Sequence, residues 1–223
     1  MDLDALVVWV KQLINKKPAT AADDTGDPSN ATIKAFINVA RNELYNRMAA
    51  QFPTRFSANV DGVYTGAAMQ VTMPTALFGR QILSVFWYIT DISTAMPMSC
   101  KNIAELPNLL GISGTPRAYV VEGTRIYLRP IPSADTNLRY VYVPALTALS
   151  SGTDTPSEFP VDQHALIGTL AAAKIAARNM DATADGLEAL AKDGINQLHD
   201  AMRAMVGDDG YVINAPPGPF DIY

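Results

Sequence analysis

Cysteine occurs once in this chain, at position 100, and histidine twice, at 164 and 199. One thiol cannot form an internal disulfide, and two imidazoles on separate predicted helices make a catalytic or metal centre only if folding converges them. A buried or solvated histidine is the ordinary alternative. Cys100 stands beside Lys101, but nothing nearby in sequence supplies a base. The chain has no glycine-rich phosphate loop, no GxSxG elbow, no HExxH and no paired CxxC. "DATADG" at 181–186 imitates the first half of a calcium loop, but Thr183 and Lys192 stand where that loop needs ligands. A helix corner capped by Asp181 is the plainer reading. These absences argue against an enzyme, a metal centre or a bound cofactor.

Charge is also scarce, at 17% of residues where about 25% is usual. That deficit hints at surface covered by a partner. The largest basic cluster is Lys16-Lys17, too small to grip nucleic acid through its phosphates. No apolar run approaches the ~20 residues of a membrane span. Asp2 and Asp4 leave no basic leader, so the expectation is synthesis in a reducing cytoplasm, with no membrane partner.

What is present is enough for a core: 223 residues, 48% of them apolar. The net charge of −5 is uneven, with +1 over residues 1–55, −1 over 56–160 and −5 over 161–223. The acidity therefore belongs to the C-terminal third.

Periodicity divides the chain. "DLDALVVWVKQLIN" (2–15) reads as a short helix with acids in its first turn. A polar loop, 16–30, follows. Ile33, Ile37, Ala40, Leu44, Met48 and Phe52 then recur at helical steps from about Pro28 to Gln51, with Asp27 or Ser29 as cap and Asn38, Arg41, Asn42 and Asn46 on the polar side. Between 55 and 145 the period changes to that of strands, in the five runs "VYTGAAMQVTMP", "RQILSVFWYIT", "RAYVVE", "RIYLRP" and "LRYVYVP". "NIAELPNLLG" (102–111) interrupts them with one or two helical turns. Glu122-Gly123-Thr124 is a hairpin loop, and Pro130 and Pro132 must end the strand that follows it or hold it at an edge.

Within this region Trp87 points away from Phe86 and Tyr88, whereas Tyr140 and Tyr142 share a face. Packing is the expected use of these rings. A stacking platform for single strands would have only Arg125, Arg129 and Arg139 beside it. Helices return at 160, along Leu166, Ile167, Leu170, Ala173 and Ala177. A second helix from Asp181 carries Leu187, Ala191, Ile195, Leu198, Met202 and Met205. The alanines of 171–177 suit close helix packing. "GDDGYVINAPPGPFDIY" (207–223) has no helical period and three prolines.

The expected class is therefore α+β: a helical bundle with an inserted small antiparallel β-barrel or sandwich and an extended C-terminal arm. The limits are 1–54 for the N-terminal helices, 55–147 for the β-domain, 148–206 for the C-terminal helices and 207–223 for the arm.

This order of elements, marked by Pro116, Tyr119, Gly123, Ile126, Leu128, Pro130, Pro132, Tyr142, Phe159 and Pro160, resembles the head-to-tail adaptor (connector) proteins of short-tailed bacteriophages. The resemblance covers nearly the whole chain and implies a structural virion protein at the head–tail junction. It would form a ring of twelve copies on the portal protein, offer a docking surface to the tail nozzle or tail tube, and extend the channel through which genomic DNA passes without specific binding. On that reading Asp181, Asp185 and Glu188 are candidates to face the channel. Tyr211, Val212, Ile213, Phe220, Ile222 and Tyr223 are candidate anchors of a portal-binding arm, stiffened by its prolines. Another neck or minor tail protein, or a small cytoplasmic enzyme around His164 or Cys100, are the competing readings.

Overall fold

The computed structural model describes residues 1–14, 28–65, 71–73, 77–102 and 112–206. Among these the chain is α+β, with four helices and seven strands, and it divides into two compact units. One unit holds Met1–Phe52 and the chain from Leu146 through the last helix. The other holds Pro53–Ala145.

The helical unit contains α1 (Leu3–Leu13), α2 (Asn30–Gln51), α3 (His164–Arg178) and α4 (Ala184–Val206). Asp2 caps α1 by accepting from Ala5 N at 2.8 Å, and Ser29 caps α2 by accepting from Thr32 N. The expected stripe of α2 is buried at Ile33, Ile37, Ala40, Leu44 and Met48. The centre is α3, which packs on α1, α2 and α4. Its small residues make this possible. Ala171, Ala172, Ala173 and Ala176 are buried. A Cβ on Gly168 would stand 2.6 Å from the Trp9 ring of α1, and one on Gly194 of α4 would stand 2.7 Å from Leu166.

One expectation on α2 is overturned. Arg41 does not lie on a polar face but is buried beside Tyr45. Its partner comes from far along the chain: Glu158 accepts from Arg41 Nε and, at 2.9 Å, from Nη2, while Nη1 donates to the Thr147 carbonyl at 2.6 Å. Asn38, one turn earlier, clamps Leu149 by donating to its carbonyl at 3.0 Å and accepting from its N–H at 2.8 Å. Leu3 N and Asp4 N donate to the carbonyls of Asp154 and Gly152. The irregular segment 147–158 is thus sewn to α1 and α2 by polar groups that would otherwise be stranded.

The second unit is a nearly closed, barrel-like sheet of β1 (Ala58–Tyr64), β2 (Val71–Thr72), β3 (Leu77–Tyr88), β4 (Met96–Cys100), β5 (Ala118–Glu122), β6 (Arg125–Arg129) and β7 (Thr136–Pro144), in the order β1-β7-β3-β4-β5-β6-β2. Two details differ from expectation. The β4 strand was not foreseen, and its pairing with β5 is parallel, whereas every other pair is antiparallel. The β5–β6 hairpin is as expected. Glu122 faces Arg125 across a two-residue turn, and Gly123 takes a φ of +62°, as a turn with glycine first requires. The strand ends at Arg129, just before Pro130.

Tyr64, Val85, Met98, Tyr119, Ile126, Leu128, Leu138 and Tyr140 fill the interior, with Ile82, Trp87 and Tyr142 packed against them. Ile82 and Val85 have opposite parity, yet both face inward, because β3 carries one extra residue against β7 between Ile82 and Ser84. Trp87 is therefore inside while Phe86 and Tyr88 lie on the other face. Gly62 gives the Tyr140 ring room: a Cβ there would sit 3.2 Å from Cε2. On the opposite face Arg139 and Asp61, directly paired across β7 and β1, form two hydrogen bonds of 2.7 and 2.8 Å.

Nearly all of the expected helical turns at 102–111, most of the loop at 16–30 and the arm at 207–223 lie outside the described residues.

Candidate interface surfaces

Surfaces, rather than a reactive centre, hold the candidate residues. The first is the corner joining α3 to α4. Asp181 N donates to the Ala176 carbonyl and Met180 N to the Ala177 carbonyl, the paired bonds of a Schellman cap. The position that usually carries glycine holds Met180, at a φ of +52° and 93% exposed. Asp181 then turns the chain into α4, accepting from Thr183 N at 2.9 Å and from its hydroxyl at 3.0 Å. These bonds hold its carboxyl below the usual carboxylate range. The corner capped by Asp181 is thus the correct reading of "DATADG". Among the described residues no cluster of His, Cys, Asp or Glu could hold a metal ion.

Asp185 and Glu188, one helical turn apart on α4, are exposed. Glu188 stands with Lys192 on the rim of a groove of about 500 Å³ between α2, α3 and α4. Ala173 and Ala177 form part of its floor, and its far rim carries Arg47 and the ion-paired Glu43 and Lys174. The three carboxylates thus occupy one corner and its adjoining turn.

His164 and His199 have separate surroundings in the helical unit, and Cys100 belongs to the β unit. His164 is buried at the start of α3, where Nε2 donates to the Phe159 carbonyl at 3.1 Å and Nδ1 lies 2.8 Å from the Met1 ammonium. Both ring nitrogens are thus engaged. His199, on α4, rests its ring on Phe52, with centroids 5.3 Å apart. Cys100 lies in the β unit, exposed at the end of β4 and opposite Tyr119. Burial is the main cause that pushes the Tyr119 hydroxyl up, with the charge of Cys100 and a hydrogen bond to it adding to the effect.

A second charged surface was not foreseen. Ser99, Ala118 and Arg129 align across β4, β5 and β6 on the face away from the core, and with Lys101, Thr115, Arg117 and Pro130 they line a recess of about 540 Å³. In the sequence Arg129 stands out only as a neighbour for stacking rings. The recess escapes sequence reading because its cations come from three separate segments.

The arm residues Tyr211, Val212, Ile213, Phe220, Ile222 and Tyr223 fall outside the described residues. No helix among the described residues is long and apolar enough to cross a membrane.

No curated protein matches the chain. A family model does, described as SU10 adaptor protein, and it matches residues 4–213, nearly the whole length and both compact units. The chain therefore belongs to the SU10 adaptor protein family, a family of phage structural adaptors.

Proposed function

We propose that this protein is a ring-forming head-to-tail adaptor, which joins the portal to the tail at the head–tail junction and extends the DNA channel. The family match across residues 4–213 carries the reading. In it, twelve copies close a ring on the portal. The β-domain, 55–147, is an insertion between the N-terminal and C-terminal helices of a bundle, 1–54 and 148–206, and 207–223 is an extended arm. The family of structural adaptors is generally non-enzymatic, and binding is all that this role demands.

The acidity of residues 161–223 supports a channel wall past which DNA slides, because like charge prevents the phosphates from sticking. Asp181, Asp185 and Glu188 are the carboxylates assigned to that wall, as members of an exposed corner and turn. Tyr211, Val212, Ile213, Phe220, Ile222 and Tyr223 are assigned to the portal-binding arm. These apolar side chains flank three prolines, Pro216, Pro217 and Pro219, which lower the entropy lost on docking.

Removing residues 208–223 tests the arm. The truncated protein is expected to remain folded and soluble by circular dichroism and gel filtration, and to lose attachment to DNA-filled heads. Unchanged affinity for portal would move docking to the helices.

A further inference from the structure

One exposed side chain and one groove of the helical unit are complementary. Met180 holds the left-handed position between α3 and α4 with 93% of its surface exposed, more than any other large apolar side chain among the described residues. Its own copy therefore does not cover it. The corner around it is tied on both sides: two backbone bonds end α3, and Asp181 accepts from Thr183 to start α4. A methionine presented there is an adaptable apolar knob, suited to filling an irregular pocket on another surface.

The groove between α2, α3 and α4, of about 500 Å³, is such a pocket. Leu170, Ala191 and Ile195 line it beside Ala173 and Ala177. Among the described residues that line it, Arg47, Lys174 and Lys192 stand against Glu43 and Glu188, and Glu43 is paired with Lys174. Apart from that pair the rim carries two cations and one carboxylate. The corner has the opposite balance. Residues 178–185 hold two carboxylates, Asp181 and Asp185, against Arg178, whose guanidinium lies over the Phe36 ring of its own copy.

We infer that Met180 of one copy seats in this groove of a second copy, with the acidic corner of the first against the basic rim of the second. The inference rests on the ring reading for one thing only, that copies of this chain meet. A contact between two different patches repeats in one direction and closes into a ring when the rotation allows. Glu188 stands on the groove's rim, so a seam made in this way borders the channel wall to which Asp181, Asp185 and Glu188 are assigned.

The test is a disulfide trap between two differently tagged batches of the full chain. Both carry Cys100→Ser; one also carries Met180→Cys and the other Ile195→Cys, so that each chain has a single thiol. The batches are mixed at high concentration, alone and with portal, and oxidised mildly. The mixed disulfide is expected to exceed either homodimer by about tenfold, because contact raises the effective concentration of one thiol near the other. Arg47→Glu in the second batch should lower that excess by about threefold, the worth of one exposed ion pair. Arg117→Glu, an exposed charge of the β unit, should leave it unchanged. If Ile195→Cys disturbs the fold by circular dichroism, Lys192→Cys on the same rim replaces it with the same expectation. A mixed disulfide no more abundant than the homodimers in both conditions overturns the inference, as does equal weakening by Arg117→Glu. Rings on the portal without the excess leave the ring reading standing and remove this contact. The excess without rings keeps the contact and removes the ring.

Discussion

Arg41 and Glu158 stand 117 positions apart and form a two-pronged ion pair inside the helical unit, with side chains only 6% and 10% exposed. The pair fixes the segment that returns from the β unit onto α2. Removing one partner leaves a buried charge, which costs about 3–5 kcal/mol. Arg41→Met or Glu158→Leu alone should therefore lower unfolding free energy by about that amount in urea titrations. The double substitution should recover a large part of the loss, because neither charge is then stranded.

Met180 offers the opposite case. A left-handed residue with a β-carbon costs about 1–2 kcal/mol relative to glycine, set against the entropy that glycine adds to the unfolded chain. Met180→Gly should stabilise the protein by about 0.5–1 kcal/mol, visible as a rise of a few degrees in melting temperature. A β-branched Met180→Val should lower it.

Burial raises the hydroxyl pKa of Tyr64, Tyr119 and Tyr140 above the ordinary value near 10. The neutral phenol is the form the folded state keeps. Stabilisation from these groups is complete below the unfolded pKa and is lost as pH rises through the higher folded values. Phenolate absorbance across an alkaline titration should thus show some of the nine tyrosines ionising together with unfolding of the β unit rather than before it.

Much of this was legible in the sequence, and what was missed has definable causes. The stripe from Ile33 to Met48 announces α2 because helical packing repeats locally. The hairpin at Gly123 is visible because its turn needs two residues and a positive φ. Arg41 was misplaced because its partner lies beyond any local window. The β4 strand, "MPMSC", escaped because it is short and Pro97 interrupts it. The helix end at Met180 lacks its usual glycine. Asp181 was recognisable as a cap, since Asx geometry is local, whereas the recess at Arg129 exists only after three strands align.

Assembly on the portal can be seen by imaging. Purified protein mixed with portal and viewed by electron microscopy should give two-dimensional class averages of a closed ring seated coaxially on the portal, with twelve-fold symmetry. Class averages showing portal alone, with the protein remaining monomeric beside it at saturating concentration, would contradict the account.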